Sequence, residues 1–161
     1  MEGSFTLPRE GSTSDPLRIA VLISGGGSGL ASILAYESLE PRSFHTVLVL
    51  ADSDEAGGLD HARKAGIDSI GIPLPRIVDK KEQRLKHEDL VHEQLEKYNT
   101  ELIALAGYMR IFTPVFVEKW KGRLINIHPS LLPKYPGAHA HRDALACLLY
   151  TSDAADEVVG V

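Results

Sequence analysis

Residues Leu17 to Ile23 form a near-continuous apolar run closed by Ser24-Gly25-Gly26-Gly27-Ser28-Gly29. A strand with one wet face alternates apolar and polar side chains, so an unbroken apolar run reads as a strand buried on both faces. Such a strand needs packed layers above and below it, and the rest of the chain is patterned to supply them. Ser28 to Ser38 reads as a helix, Thr46 to Ala51 as a second buried strand, and Leu59 to Ala65 as a short helix. Gly66 comes next, where the missing Cβ suits a C-terminal cap. Ser69 to Ile72 is a brief third strand before Pro73 and Pro75. Lys80 to Tyr98 is strongly charged, with Leu85, Val91 and Leu95 among its apolar positions, and predicts a long surface helix. Leu102 to Ala106 predicts a fourth strand, Pro114 to Trp120 a helix, and Leu124 to Ile127 a fifth strand.

Strands separated by helical segments favour parallel pairing through right-handed crossovers, which gives an open α/β sheet. Ligands of such sheets sit beyond the carboxyl ends of the strands. Three loops therefore become candidates: Ser24 to Gly29, Gly107 to Phe112, and Asn126 to Gly137. Met1 to Pro16, rich in Gly, Ser, Thr and Pro without periodicity, reads as a disordered leader outside the fold. The remaining length suits one domain.

Composition narrows the partners. The formal net charge is −5 and the basic residues are scattered, which disfavours a nucleic-acid backbone and favours small ligands. A single cysteine, Cys147, forms no internal disulfide, and no basic segment followed by an apolar one opens the chain, so a cytoplasmic location is expected. No apolar run reaches the ~20 residues that span a bilayer. No motif fixes an oligomeric state.

The glycine loop joins a strand to a helix, where backbone N–H groups and the positive end of the helix dipole suit a phosphate. The same loop also fits a tight turn that binds nothing. A dinucleotide fingerprint spaced from Gly25 and Gly27 requires Gly or Ala where Leu30 stands, so that motif fails, although Asp52 at the end of the second strand keeps a ribose-binding reading open. In the third loop, Asn126 and His128 lie two apart at a strand end, so an amide and an imidazole point to the same side of the sheet. Pro129, Pro133 and Pro136, with Gly137, stiffen the loop on its C-terminal side. A strand-end histidine also serves a purely structural role in many turns. His139 and His141 read as loop residues, and no cluster has zinc-like spacing, so no metal is expected.

Three segments, Arg18-Ile-Ala-Val-Leu-Ile-Ser-Gly-Gly-Gly-Ser, Leu105-Ala-Gly-Tyr-Met-Arg-Ile and Asn126-Ile-His-Pro-Ser-Leu-Leu-Pro, resemble in order and spacing the signatures of glycinamide ribonucleotide formyltransferases. The resemblance covers about residues 17 to 146 and implies a Rossmann-like open, mostly parallel sheet with helices on both faces. It implies transfer of a formyl group from 10-formyltetrahydrofolate, as cosubstrate, to the amine of 5-phosphoribosylglycinamide. It places the substrate phosphate on Gly27, Ser28, Gly29, Leu30 and Ala31, with Gly29 standing where the family has an asparagine side-chain donor. Folate contacts fall on Arg84, Met109, Arg110, Ile111, Phe112 and Asn126, and the catalytic places on Asn126 and His128. Donors aimed at the developing formyl oxygen explain the amide beside the imidazole, and His128 would act as general acid.

The family pattern stops after Ala146. Residues 147–161, beginning Cys147-Leu-Leu-Tyr-Thr-Ser-Asp-Ala-Ala-Asp-Glu157, read as a non-native tail similar to the translation of a sequencing-library adapter. Asp153 and Asp156 are therefore not expected to replace the family's aspartate partner of the histidine, and the family's last strands and helix are expected to be missing. Poor solubility and little transferase activity are expected of these 161 residues. Two other readings remain: another formyltetrahydrofolate user, a hydrolase or a tRNA formyltransferase, and a non-catalytic nucleotide-binding module.

Overall fold

The computed structural model of the chain describes residues 5–127. His128 and the expected tail from Cys147 lie outside the described residues. The chain divides into two compact units, residues 1–125 and 126–161, and of the second only Asn126 and Ile127 are described.

The elements track the apolar pattern closely: β1 (Leu17–Ile23), α1 (Ser28–Leu39), β2 (Phe44–Ala51), α2 (Leu59–Lys64), β3 (Ser69–Gly71), α3 (Lys80–Lys97), β4 (Leu102–Ala106), α4 (Pro114–Lys119) and β5 (Leu124–Ile127). The sheet order is β3-β2-β1-β4-β5, and β1 pairs in parallel with β2 on one side and β4 on the other. The unbroken run of β1 has its expected consequence, since Ala20 to Ile23 are fully buried at the sheet's centre.

Alternation along the strands sorts two cores onto two faces. Ala20, Leu22, Leu48, Leu50, Ile103 and Leu105 pack with Val91 and Leu95 of α3 and with Phe116 and Trp120 at α4. Ile19, Val21, Ile23, Val49, Ala51, Ala104 and Ala106 pack with Leu30 of α1 and with Leu59 and Ala62 of α2. Helices thus cover both faces, as expected for a doubly wound sheet.

Helix ends obey local chemistry. Asp79 caps α3 by accepting from the Glu82 N–H at 2.8 Å. Thr113 caps α4, whose first position is Pro114. Gly66 takes a left-handed φ of 72° after α2, the conformation its cap role requires.

Residues 5–16, expected as a disordered leader, carry no helix or strand and make polar contacts with the rest of the fold. Thr6 donates its backbone N–H to the Lys121 carbonyl at 3.1 Å. Arg9 donates to Glu101 at 2.6 Å and to the Pro16 carbonyl at 2.9 Å. The Glu101 carboxylate also accepts from the Arg18 N–H at 2.7 Å. These hydrogen bonds from Arg9, and after them that from Arg18, hold the Glu101 carboxyl below its usual range against the opposing effect of burial. The segment buries little apolar surface, and polar contacts to residues distant in sequence hold it instead.

Candidate active site

The strand order reverses direction between β1 and β4, so the loops after these strands leave the sheet side by side. A direct hydrogen bond joins them: the Met109 N–H donates to Ser24 Oγ at 2.8 Å.

The loop after β1 is built around what glycine lacks. Gly27, the N-cap of α1, has φ 71°, and a Cβ there would stand 2.8 Å from Gly58 Cα. The Gly58 N–H in turn donates to the Gly25 carbonyl at 2.9 Å. Close backbone approach to the α2 region therefore accounts for part of the glycine run. Gly25 and Gly26 are exposed, with open space where side chains would project.

In the first turn of α1, Ala31 N–H donates to the Gly27 carbonyl at 2.8 Å. That bond is the first of the helix, so the amides of Ser28, Gly29 and Leu30 have no helical acceptor. No acidic residue occupies this turn. Of the five residues expected to hold a phosphate, Ala31 spends its amide within the helix, and Leu30, fully buried in the core, presents only its backbone.

The loop after β4 lines a cavity of about 340 Å³ against α3. Leu74, Lys80, Gln83, Arg84, His87 and Glu88 form one side, and Tyr108, Met109, Arg110, Ile111 and Phe112 the other. Arg84 and residues 109–112, singled out separately in the sequence, are thereby brought into one cavity. Tyr108 stacks on Phe112 at 5.4 Å and Phe112 on Phe116 at 4.1 Å, which continues the core outward into the cavity wall. Burial, and after it the nearby Asp52 carboxylate, pushes the Tyr108 phenol well above its ordinary value, so it is neutral.

Three side chains fix this loop. Ser24 holds the Met109 amide. Glu88, only 5% exposed, accepts from the Thr113 N–H at 2.7 Å and from the Thr113 hydroxyl. Arg110 Nε donates to Asp52 Oδ2 at 2.9 Å. Asp52, read from the sequence as a ribose-binding acid, is engaged by the chain itself in that ion pair, and its side chain is 10% exposed.

Glu88 and His87 are site residues that the sequence reading missed. His87 is 3% exposed, and its Nε2 lies 2.7 Å from the Ile72 carbonyl. A carbonyl only accepts, so Nε2 is the donor in this contact. Their signal was available: both fall on the helical stripe that continues through Val91 and Leu95, where a charged or titratable residue demands a partner.

Asn126 sits near the end of β5 and is exposed. Its expected companion His128 lies outside the described residues. Among the described residues no group of three or more His, Cys, Asp or Glu side chains gathers as a metal site would need, and no helix is long and apolar enough to cross a membrane.

The sequence profile of the formyl transferase family matches residues 17–147. The chain is 42% identical over 129 residues to phosphoribosylglycinamide formyltransferase of Escherichia coli K12, spanning 80% of this chain and 59% of that one. It is 41% identical over 131 residues to the trifunctional purine biosynthetic protein adenosine-3 of Bos taurus, again 80% of this chain but 12% of the relative. Among solved structures, a phosphoribosylglycinamide formyltransferase from Coxiella burnetii superposes with a TM-score of 0.73 at 38% identity, over 83% of this chain and 61% of that one. The chain thus spans about three fifths of the single-function relatives and a small share of the trifunctional one.

Proposed function

Because the chain belongs to the formyl transferase family, we propose that it serves the transfer of a formyl group from 10-formyltetrahydrofolate to the amine of 5-phosphoribosylglycinamide. The observation that carries this reading is the convergence of Arg84 with Met109 to Phe112 on one cavity beside the glycine loop. That is the pairing a folate site and a neighbouring phosphate site require.

In this reading the reduced folate occupies the cavity, with its ring against Met109, Arg110, Ile111 and Phe112 and with Arg84 facing its anionic end. The ribonucleotide phosphate sits on the glycine loop, where the free amides of Ser28, Gly29 and Leu30 and the positive end of α1 favour a dianion. Gly29 supplies no side-chain donor, so recognition there is by backbone alone.

The amine nitrogen attacks the formyl carbon, and negative charge develops on the formyl oxygen of the tetrahedral intermediate. Asn126 and His128 take the donor roles toward that oxygen; such donors are worth about 3 kcal/mol each in a preorganised site. The bond from the formyl carbon to the folate nitrogen then breaks. His128, as general acid, returns to that nitrogen the proton that the amine gives up. The chemistry calls for positioned donors and a proton carrier, and the proposed site uses no metal.

Calorimetric titration of the 161-residue chain with 10-formyltetrahydrofolate and with phosphoribosylglycinamide tests the reading. Saturable binding of both is expected, with Arg84→Met weakening the folate about tenfold, the loss of one charge-assisted contact, and leaving the ribonucleotide unaffected. Binding of neither ligand contradicts it. Stabilisation by a nicotinamide dinucleotide but not by folate would support a nucleotide-binding module instead.

A further inference from the structure

We propose that Asp52 is a positioning residue for the folate cavity, acting through Arg110. The Arg110 side chain then serves as a clamp on its own loop and not as a ligand-binding cation. The proposal rests on the reading of that cavity as the folate site, but its geometric half stands on the fold alone.

Asp52 directly follows β2, and Arg110 lies in the loop after β4. The sheet order puts β2 and β4 on opposite sides of β1. The 2.9 Å contact from Arg110 Nε to Asp52 Oδ2 therefore reaches across the carboxyl end of the central strand. Beneath that reach, Ser24 at the end of β1 takes the Met109 amide at 2.8 Å. Two consecutive residues of the cavity wall are thus tied to the ends of two adjacent strands.

The ties matter for Met109 to Ile111, which lie between Tyr108 and Phe112, the two packed residues of the loop. Gly107 opens it with φ 74°, a conformation that costs glycine nothing and gives the chain a free pivot. Met109 is 61% and Ile111 82% exposed, so apolar burial anchors the loop at Tyr108 and Phe112 and not between them. Farther along, Thr113 is fixed by Glu88. Without the Asp52 and Ser24 ties, residues 109–111 would run between Tyr108 and Phe112 with no hydrogen bond to the strand ends.

An exposed ion pair contributes little, but this one is asymmetric. The Asp52 side chain is 10% exposed and that of Arg110 is 41% exposed. Truncating Arg110 leaves a largely buried carboxylate without its partner, whereas truncating Asp52 frees an arginine into water. Arg110→Ala is therefore the more damaging change, and adding Asp52→Ala to it should restore part of the loss. A residue that merely fills space would show no such reversal.

The test measures amide hydrogen exchange and ligand affinity on the same full-chain variants. Relative to the parent, Arg110→Ala should speed exchange of residues 107–112 about tenfold and weaken 10-formyltetrahydrofolate binding about tenfold, the scale set by one partly buried charged hydrogen bond. Asp52→Ala should give a smaller effect in the same direction. Asp52→Asn, which keeps an acceptor for Nε, should lie near the parent, and the double variant should fall between the two alanine variants. Exchange in β1 and the affinity for phosphoribosylglycinamide should not change. Unaltered exchange at 107–112 in Arg110→Ala would overturn the proposal, as would equal folate affinity in the parent and every variant. If exchange responds while the parent binds no folate, the clamp stands and the functional reading of the cavity fails.

Discussion

The two loops at the sheet's switch point are neighbours made by opposite means. The loop after β1 takes its shape from missing side chains: Gly27 and Gly58 approach so closely that a Cβ on Gly27 would sit 2.8 Å from Gly58 Cα. The loop after β4 takes its shape from side chains that arrive from elsewhere, namely Ser24, Asp52 and Glu88. The first loop leaves the amides of Ser28, Gly29 and Leu30 without helical acceptors. The second must form a wall of fixed contour, and a wall requires props.

The comparison breaks most sharply at Gly27. Gly27→Val adds a branched side chain at φ 71° against backbone that cannot yield, and it should destabilise the chain by about 3 kcal/mol in urea titration. A loss under about 1 kcal/mol would show that the loop is looser than its contacts imply.

Glu88→Ala comes next. It removes the acceptor for both the Thr113 amide and hydroxyl, and two part-buried donors left unpaired should cost about 2 kcal/mol. Glu88→Gln keeps an acceptor and should recover at least half of that, so the comparison separates hydrogen bonding from charge.

Ser24→Ala should cost about 1 kcal/mol or less, the worth of one exposed hydrogen bond, yet raise exchange at the Met109 amide. The smallest effect lies away from both loops, at Glu101. Its folded carboxyl holds a proton less tightly than that of the unfolded chain. Its contribution is therefore complete above the unfolded carboxylate value, near pH 4.5, and is lost as the pH falls through the lower folded value. Proteolysis within residues 5–16 should increase on acidification across that window in the parent, and Glu101→Gln should show the raised susceptibility already at neutral pH.

The same contrast separates what could be read from the sequence from what could not. Buried strands announce themselves by unbroken apolar runs, and β1 and β4 lie where those runs place them. β2 begins earlier than its apolar run because Phe44 and His45 pair with Leu17 and Arg18 of β1, a tertiary contact without a local signal. The leader's attachment depends on Arg9 meeting Glu101, 92 residues away, and no periodicity encodes that pair. Arg84 and Met109 to Phe112 were legible as candidates through the family resemblance, and their sharing of a cavity emerged only from the fold. His87 and Glu88 lie on the α3 stripe with Val91 and Leu95, a readable signal, while their partners, the Ile72 carbonyl and Thr113, emerged only from the fold. The Asp52–Arg110 pair, 58 residues apart, was visible as two motifs and not as one device.

Nuclear magnetic resonance mapping of the isotopically labelled chain, with the two ligands added one at a time, tests the central claim most directly. 10-formyltetrahydrofolate should shift the resonances of Arg84 and of residues 109–112, and phosphoribosylglycinamide those of residues 25–30, with few shared between the sets. Folate-induced shifts confined to the glycine loop, or shifts scattered over the two faces of the sheet, would contradict the division of labour between the loops.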